Sequence, residues 1–465
     1  MTSWVRHNPL IERIKMAVDL NPKPRPFHKA TPDFENGNDT PRNYLERCIE
    51  VIEAHDGSIG AFVATNLDNA RSAADDSTAR WKSGTTLSAI DGMPIGVKDV
   101  METADMVTEQ GSPLFTGWSM GRDCAAVAAL REAGAVVVGK TVTTEFAATQ
   151  PRGTRNPYDT NRTPGGSSSG SATAVGSGML AGATASQVIG STIRPASYCG
   201  AFGFKPSVGG INRGGSFDGF SQSCTGVIAA TLTDTWTMAR EISSRAGGDA
   251  GYVGLTGPMT LPKPNKPRTV AMLETAGWET ATEDAKQQLQ SARNTLEEAG
   301  INVIDRSNNE AVQIAELAIA DSNSLSRGIN AWEGRWPLNT YARDMDINKL
   351  SESSRERLEQ ANAMNQDQFR DLLEQRNAAR ETFASLADHC EACFTLSAPD
   401  AAPEGLGWTG DPNFTVCTSL LGVPAVSMPL LETQGLPLGL QMIGFQNKDA
   451  EMFAAAGAVL PLFSS

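Results

Sequence analysis

Two stretches of this chain carry residue types that could do covalent chemistry. In Asp91-Gly-Met-Pro-Ile-Gly-Val-Lys98-Asp99 a single lysine rides on an apolar, strand-like run. Buried there it would lose proton affinity and could act as a base near neutral pH; the alternative is a lysine that snorkels to solvent or pairs with Asp99. In Gln187-Val-Ile-Gly-Ser191-Thr-Ile-Arg194-Pro195 a serine stands 24 residues beyond Ser167. A serine hydroxyl is a weak nucleophile until a neighbouring base accepts its proton. Histidine is scarce, with only His7, His28, His55 and His389. That scarcity leaves little room for a His-rich metal centre or a Ser-His-Asp triad.

Between these stretches lies Gly165–Ala183, GGSSSGSATAVGSGMLAGA, in which 15 of 19 residues are Gly, Ser or Ala. A flexible linker is one reading. Val175, Met179 and Leu180 at helical spacing favour a buried helix instead, whose small residues let neighbouring backbone approach closely. Nucleotide motifs fail here: no lysine closes a P-loop, and Gly176, Gly178 and Gly182 have the wrong final spacing for a dinucleotide fingerprint. Gly166-Ser-Ser168-Ser-Gly170 matches a nucleophile elbow literally. A turn-rich loop precedes it where a strand is required, however, and only His389 follows.

The elements that must position these residues are partly legible. Cys124–Glu132 is predicted as a helix, stopped by Gly134 and followed by a strand at Ala135–Val138. Thr282–Glu298, Gly300 and Ile301–Ile304 repeat the pattern. Helix, glycine cap and short apolar strand form the step of a mostly parallel sheet, so the fold class is α/β. The Pro- and Lys-rich stretch Leu255–Thr269 is a surface connection and the one candidate domain boundary, ahead of a strand at Val270–Leu273. From there to about residue 388 the chain is helix-rich and charged, and should cover one face of the sheet. Apolar strands then return in CFTLSAP, GVPAVSMPL and LGLQMIGF.

Composition narrows the partners. The 465 residues carry a net charge of −14, which disfavours nucleic acid and anionic membrane surfaces. No apolar run is long enough to span a bilayer, and MTSWVRHNPLIERIK lacks the features of a secretory signal. Seven scattered cysteines fit a reducing compartment rather than a disulfide framework. A cytoplasmic protein is expected.

Taken together, several segments resemble the amidase signature family: DGMPIGVKD, GRDCAAVAALREAGAVVVGKTVTTEF, NPYDTNRTPGGSSSGSATAVGSG, GSTIRPASYCGAFGFKPS, TGDPNFTVCTSLLGVPAVSMPL and GLPLGLQMIGF. The resemblance implies an α/β/α fold with a mixed, mostly parallel central sheet covered by helices. Residues 76–465 would form a single signature domain with its variable section at about 276–388, and 1–75 a helical segment packed on it. It implies amide hydrolysis by a Ser–cis-Ser–Lys triad, with no metal and no cofactor. By position, Lys98 would be the base, Ser167 the bridging serine on a cis peptide bond, and Ser191 the nucleophile. Ser168 would hydrogen-bond to Lys98 and hold it. Backbone N–H groups of Val188, Ile189, Gly190 and Ser191 would form the oxyanion hole.

The chain departs from the family pattern where the substrate should bind. Ile189 stands where the family has a glycine, so a positive φ there would distort the oxyanion turn, whereas a negative φ would leave Ile189 merely narrowing the pocket. The family's aspartate is Gln187, and the arginine comes three residues after the nucleophile, at Arg194. That SxIRPAxYCG arrangement is similar to malonamidase, a member acting on short acid amides. Arg194 and Gln187 are therefore the expected substrate-binding residues, with a carboxylate-bearing small-molecule amide as substrate; an arginine that caps backbone carbonyls is the alternative for Arg194. Gln222-Ser-Cys224-Thr-Gly is a third departure, without a mechanistic reading. Nucleic acid and membrane partners are not expected, and a homodimer is compatible with this reading. Two rivals remain: a glutaminase subunit of a tRNA-dependent amidotransferase, which needs partner subunits, and a binding protein whose oxyanion hole Ile189 has spoiled. His389-Cys390-Glu-Ala-Cys393 reads as part of a buried strand, and Trp332, Trp336 and Tyr341 are candidate pocket-lining residues.

Overall fold

Side-chain alternation along the strands builds this molecule in three layers. The computed structural model describes residues 22–463. Eleven strands form one sheet: β1 (Phe62–Thr65), β2 (Pro94–Lys98), β3 (Val136–Thr141), β4 (Gly182–Gln187), β5 (Phe202–Lys205), β6 (Cys224–Ala229), β7 (Thr269–Met272), β8 (Asn302–Ile304), β9 (Ala392–Leu396), β10 (Ala425–Thr433) and β11 (Leu436–Ile443). Their spatial order is β1-β3-β2-β4-β6-β5-β10-β11-β9-β7-β8. Successive residues of a strand point to opposite faces. Val137, Val227, Val270, Phe394, Val426 and Leu440 feed one continuous core on one face. Their neighbours Val136, Val138 and Ile228 feed a second core on the other, and Ala271, Cys393 and Ala425 a third. Burying each large aliphatic side chain contributes about 1.5–3 kcal/mol, so a sheet buried on both faces is a strong organiser.

The two helix–glycine–strand steps occur as expected. Helix Ala125–Glu132 runs through Gly134 (φ 86°) into β3, and helix Glu283–Glu298 through Gly300 (φ 77°) into β8. The Thr282 side chain caps the second helix by accepting from the Ala285 N–H. Both strands pair in parallel, β3 with β2 and β8 with β7, and β2/β4 and β7/β9 are parallel as well. The sheet is mixed, and parallel pairing is confined to these flanks. Its centre is antiparallel from β4 through β6, β5, β10 and β11 to β9. One physical reason is a two-residue hairpin, Gln434-Gly435, whose φ values of 56° and 73° suit the twist of antiparallel neighbours.

The stretch Leu255–Thr269 is an exposed connection, and the strand after it joins the same sheet beside β9. Within the segment up to residue 75, helix Pro41–Ile59 packs on the sheet and β1 adds an edge strand against β3; residues 1–21 lie outside the described ones. The Gly/Ser/Ala tract holds a fully buried helix, Ser169–Gly176. A Cβ on Gly170 would stand 2.2 Å from the Ala61 carbonyl oxygen and 2.3 Å from the Val142 nitrogen, which is the close approach that small residues permit. Cys390 and Cys393 are buried, the latter on β9. Among the described residues no helix is long and apolar enough to cross a membrane.

Candidate active site

β2 and β4 are parallel, so Lys98 and Gln187 end at the same edge of the sheet. Clefts beyond the carboxyl ends of such strands are where α/β proteins place their ligands. Lys98 and Asp99 are consecutive and point apart. Asp99 is taken by Lys140, 3.2 Å away, so the Lys98–Asp99 pair allowed by sequence does not form. Lys98 Nζ lies instead 2.7 Å from Ser167 Oγ and 2.9 Å from Ser186 Oγ, fully buried. Burial pushes its pKa down to about 7, against the opposing charge of Asp218. A neutral amine beside a serine hydroxyl can accept its proton.

The Gly166–Ser167 peptide bond is cis. The Ser167 carbonyl accepts from the Thr144 N–H at 3.2 Å, and the Ser168 N–H donates to the Ser191 carbonyl at 3.3 Å, which ties the two serine segments together. Ser168 does not contact Lys98 as expected. Its hydroxyl donates to the Ser186 carbonyl and accepts from the Ser186 N–H, both at 3.4 Å, and Ser186 contacts the lysine in its place. The reason is strand alternation: Thr184 and Ser186 share one face of β4, where Thr184 Oγ1 accepts the Lys98 backbone N–H and Ser186 Oγ meets Nζ.

Ser191 lies four residues past β4 in a cavity of about 430 Å³, lined also by Val188, Ile189 and Arg194. Ile189 is not among the residues at positive φ, so its side chain narrows the cavity without straining the turn. The carbonyls of Val188 and Ile189 accept from Gln222 Nε2 and Ser419 Oγ, each at 3.2 Å. The N–H groups of Val188, Ile189, Gly190 and Ser191 have no acceptor among the described residues. Side chains thus hold the carbonyls of this turn and leave its donors free, the arrangement an oxyanion requires. Gly190 is needed for space, since a Cβ there would stand 2.2 Å from Thr415 Oγ1.

Gln187, expected to touch substrate, does not line the cavity. Its Oε1 accepts the N–H groups of Thr192 and Ile193, both at 3.0 Å, capping helix Ile193–Tyr198, and its Nε2 donates to Ser419 Oγ at 3.2 Å. It is a buried brace, made so by sitting on β4 one residue ahead of the turn. Arg194 caps backbone carbonyls, the alternative foreseen for it, and keeps one nitrogen unengaged. Nε donates to the Thr409 carbonyl at 2.7 Å and Nη2 to the Gly166 carbonyl at 2.8 Å, which secures the cis-peptide segment. Nη1 is buried, has no partner and sits 3.0 Å from where a Cβ on Gly190 would be. Arg194 is 5% exposed and makes no ion pair among the described residues; burial lowers its pKa.

Trp336 and Tyr341 line a neighbouring cavity of about 410 Å³, whereas Trp332 stacks on Phe369 away from the reaction cavity. Ser186, Ser419 and Gln222 are site residues that the sequence reading misses. The alternation Thr184–Ser186 is a readable signal for the first; Gln222 opens the third departure from the family pattern, whose role only the fold reveals, and Ser419 comes from a distant segment and carries no signal.

Residues 43–453 match the Amidase family. A glutamyl-tRNA(Gln) amidotransferase subunit from Anaeromyxobacter sp. (strain K) is 29% identical, the match covering 89% of this chain and 91% of that protein. Among solved structures, an amidase superposes with a TM-score of 0.81 at 23% identity, covering 94% of this chain and 99% of that one. The corresponding glutamyl-tRNA(Gln) amidotransferase subunit of Thermotoga maritima superposes with a TM-score of 0.72 at 25% identity, covering 90% and 91%. With its family match spanning most of its length, this chain belongs to the amidase signature family of amide-hydrolysing enzymes.

Proposed function

We propose that this enzyme hydrolyses the amide bond of a small, carboxylate-bearing substrate through an acyl-enzyme on Ser191. Neutral Lys98 takes the Ser167 proton as Ser167 takes that of Ser191, and the Ser191 oxygen attacks the amide carbon. The free N–H groups of the turn from Val188 to Ser191 receive the oxyanion, with preorganised donors typically worth a few kcal/mol each. The proton returns through Ser167 to the departing nitrogen, which leaves as ammonia or an amine. Water, deprotonated by the same relay, then cleaves the ester and frees Ser191.

The observation that carries the substrate class is Arg194 Nη1. A buried guanidinium without an ion pair is costly unless an anion completes it, and this one lines the cavity beside Ser191 and Gly190. A substrate carboxylate supplies that anion. Ile189 does not adopt positive φ, which removes the ground for reading the chain as an impaired binding protein.

The curated relatives favour a second reading. Likeness to the glutamyl-tRNA(Gln) amidotransferase subunit recurs over about nine-tenths of this chain. In that role the chain would cleave glutamine, itself a carboxylate-bearing amide, and pass the ammonia to partner subunits. Either reading suits a cytoplasmic enzyme.

Ammonia release from malonamate, succinamate, glutamine, neutral amides and arylacetamides separates them, with Ser191→Ala and Arg194→Ala alongside. Hydrolysis of anionic amides by the isolated chain, abolished in Ser191→Ala and selectively weakened in Arg194→Ala, supports the first reading. Activity on glutamine alone, appearing only with co-purified subunits, supports the second. Equal loss on neutral and anionic amides in Arg194→Ala would overturn the carboxylate assignment.

A further inference from the structure

The wall of the reaction cavity that faces away from the sheet is built by the helix-rich section, and it holds polar groups with nothing to bind. Asn330, on helix Ser322–Asp344, is 6% exposed, and neither its Oδ1 nor its Nδ2 has a hydrogen-bond partner. Arg357, on helix Glu352–Ala363, has a buried Nε without a partner, and its guanidinium sits 6.0 Å from the Phe220 ring centroid. Both side chains line the cavity that contains Ser191 and Arg194. Buried carboxamides and guanidinium groups are almost always satisfied, so two such orphans facing one cavity point to a ligand that satisfies them.

The acids of the cavity do not do so. Asp411 already accepts from the Asn413 N–H at 2.7 Å and from Asn413 Nδ2 at 3.3 Å, and Glu356 is exposed. Arg194, Arg327 and Arg357 all line the cavity, and none makes an ion pair among the described residues. The cavity, at about 430 Å³, falls in the range that holds drug-sized ligands, more room than a three- or four-carbon half-amide fills.

We infer that the substrate carries a second carboxylate, received on the helical wall by the Arg357 guanidinium and Asn330 Nδ2, while Asn330 Oδ1 accepts from an N–H or O–H of the same molecule. This rests on the carboxylate-bearing amide proposed above and extends it: Arg194 takes one carboxylate beside the scissile bond, and Arg357, whose planar fork suits a carboxylate, takes the other. Specificity within the family's shared chemistry would then reside in Asn330 and Arg357.

Two readouts test it. Wild-type kcat/KM is compared on succinamate, which has one carboxylate, and on a monoamide of propane-1,2,3-tricarboxylic acid, which has two. Binding of the same two amides to Ser191→Ala is measured by calorimetry, independent of turnover. The second carboxylate should improve kcat/KM and affinity at least tenfold, chiefly through KM. Arg357→Gln should erase that advantage and Arg357→Lys should restore part of it, with Asn330→Ala showing a smaller loss. No advantage in the wild type, or an advantage that survives Arg357→Gln, would overturn the inference. Arg194→Ala is read separately on succinamate: if it loses nothing there, the carboxylate reading itself fails, whatever Arg357 does.

Discussion

Gln187 Nε2 donates to Ser419 Oγ at 3.2 Å, and Ser419 in turn donates to the Ile189 carbonyl at 3.2 Å. An aspartate at position 187 could accept the same helix N–H groups but could not donate to Ser419. The glutamine therefore does two jobs, capping helix Ile193–Tyr198 and fixing the orientation of the peptide between Ile189 and Gly190. Ser419→Ala releases that carbonyl, and Gln187→Glu turns the Ser419 hydroxyl toward the new carboxylate. Each should lower kcat by about tenfold or more, short of the 10²–10³ lost when an oxyanion donor is deleted outright. Steady-state kinetics check this, with KM changing less than kcat; an unchanged kcat would show that the brace is only structural.

Activity should depend on pH through Lys98. Burial holds its pKa at about 7, and only the neutral amine can accept a proton, so kcat/KM should rise as pH increases through about 7 and then level off. The charge of Asp218 opposes the effect of burial and keeps this pKa up. Asp218→Asn removes that charge, so the Lys98 pKa falls and the acidic limb moves to lower pH. A pH–rate profile of both proteins checks the direction.

The same lysine costs stability. Its folded pKa of about 7 lies below the usual 10.5, so between those values the unfolded chain binds more protons than the folded one. The penalty is full below about pH 7 and fades as pH rises toward 10.5. Lys98→Met removes it, while leaving Ser167 and Ser186 without a partner. The stability of Lys98→Met relative to wild type should therefore decline from pH 7 to pH 10, by up to about 4 kcal/mol. Denaturant titrations at several pH values check this; a pH-independent difference would contradict it.

Gly170→Ala should destabilise the protein by about 1–3 kcal/mol through overpacking. In an exposed helix the same change would stabilise by nearly 1 kcal/mol. Here the new methyl meets the backbone of Ala61 and Val142, neither of which can swing aside. Urea denaturation decides the sign.

Much of this molecule can be read from its residues. Lys98, Ser167 and Ser191 lie in local motifs whose resemblance to the amidase signature implies their roles, whereas residue type alone leaves Lys98 open to a surface or Asp99-paired reading; the structure brings Lys98 and Ser167 together. The helix–glycine–strand steps are legible because capping and periodicity are local signals. The antiparallel centre of the sheet is not, since β5 and β10 meet across more than 200 residues of chain. Gln187 reads as a substrate contact because its residue type suits a ligand as well as a brace, and only its position on β4 decides between them. Asn330 and Arg357 sit in a section where charged residues crowd every helix, so nothing local marks the two that turn inward.

The central claim is that Ser191 carries the acyl group. Rapid quenching during turnover of an anionic amide, followed by intact-mass and peptide mapping, tests it most directly. The predicted result is an acyl adduct on the peptide containing Ser191, absent in Ser191→Ala and strongly reduced in Lys98→Met. An adduct on any other residue, or undiminished turnover by Ser191→Ala, would contradict it.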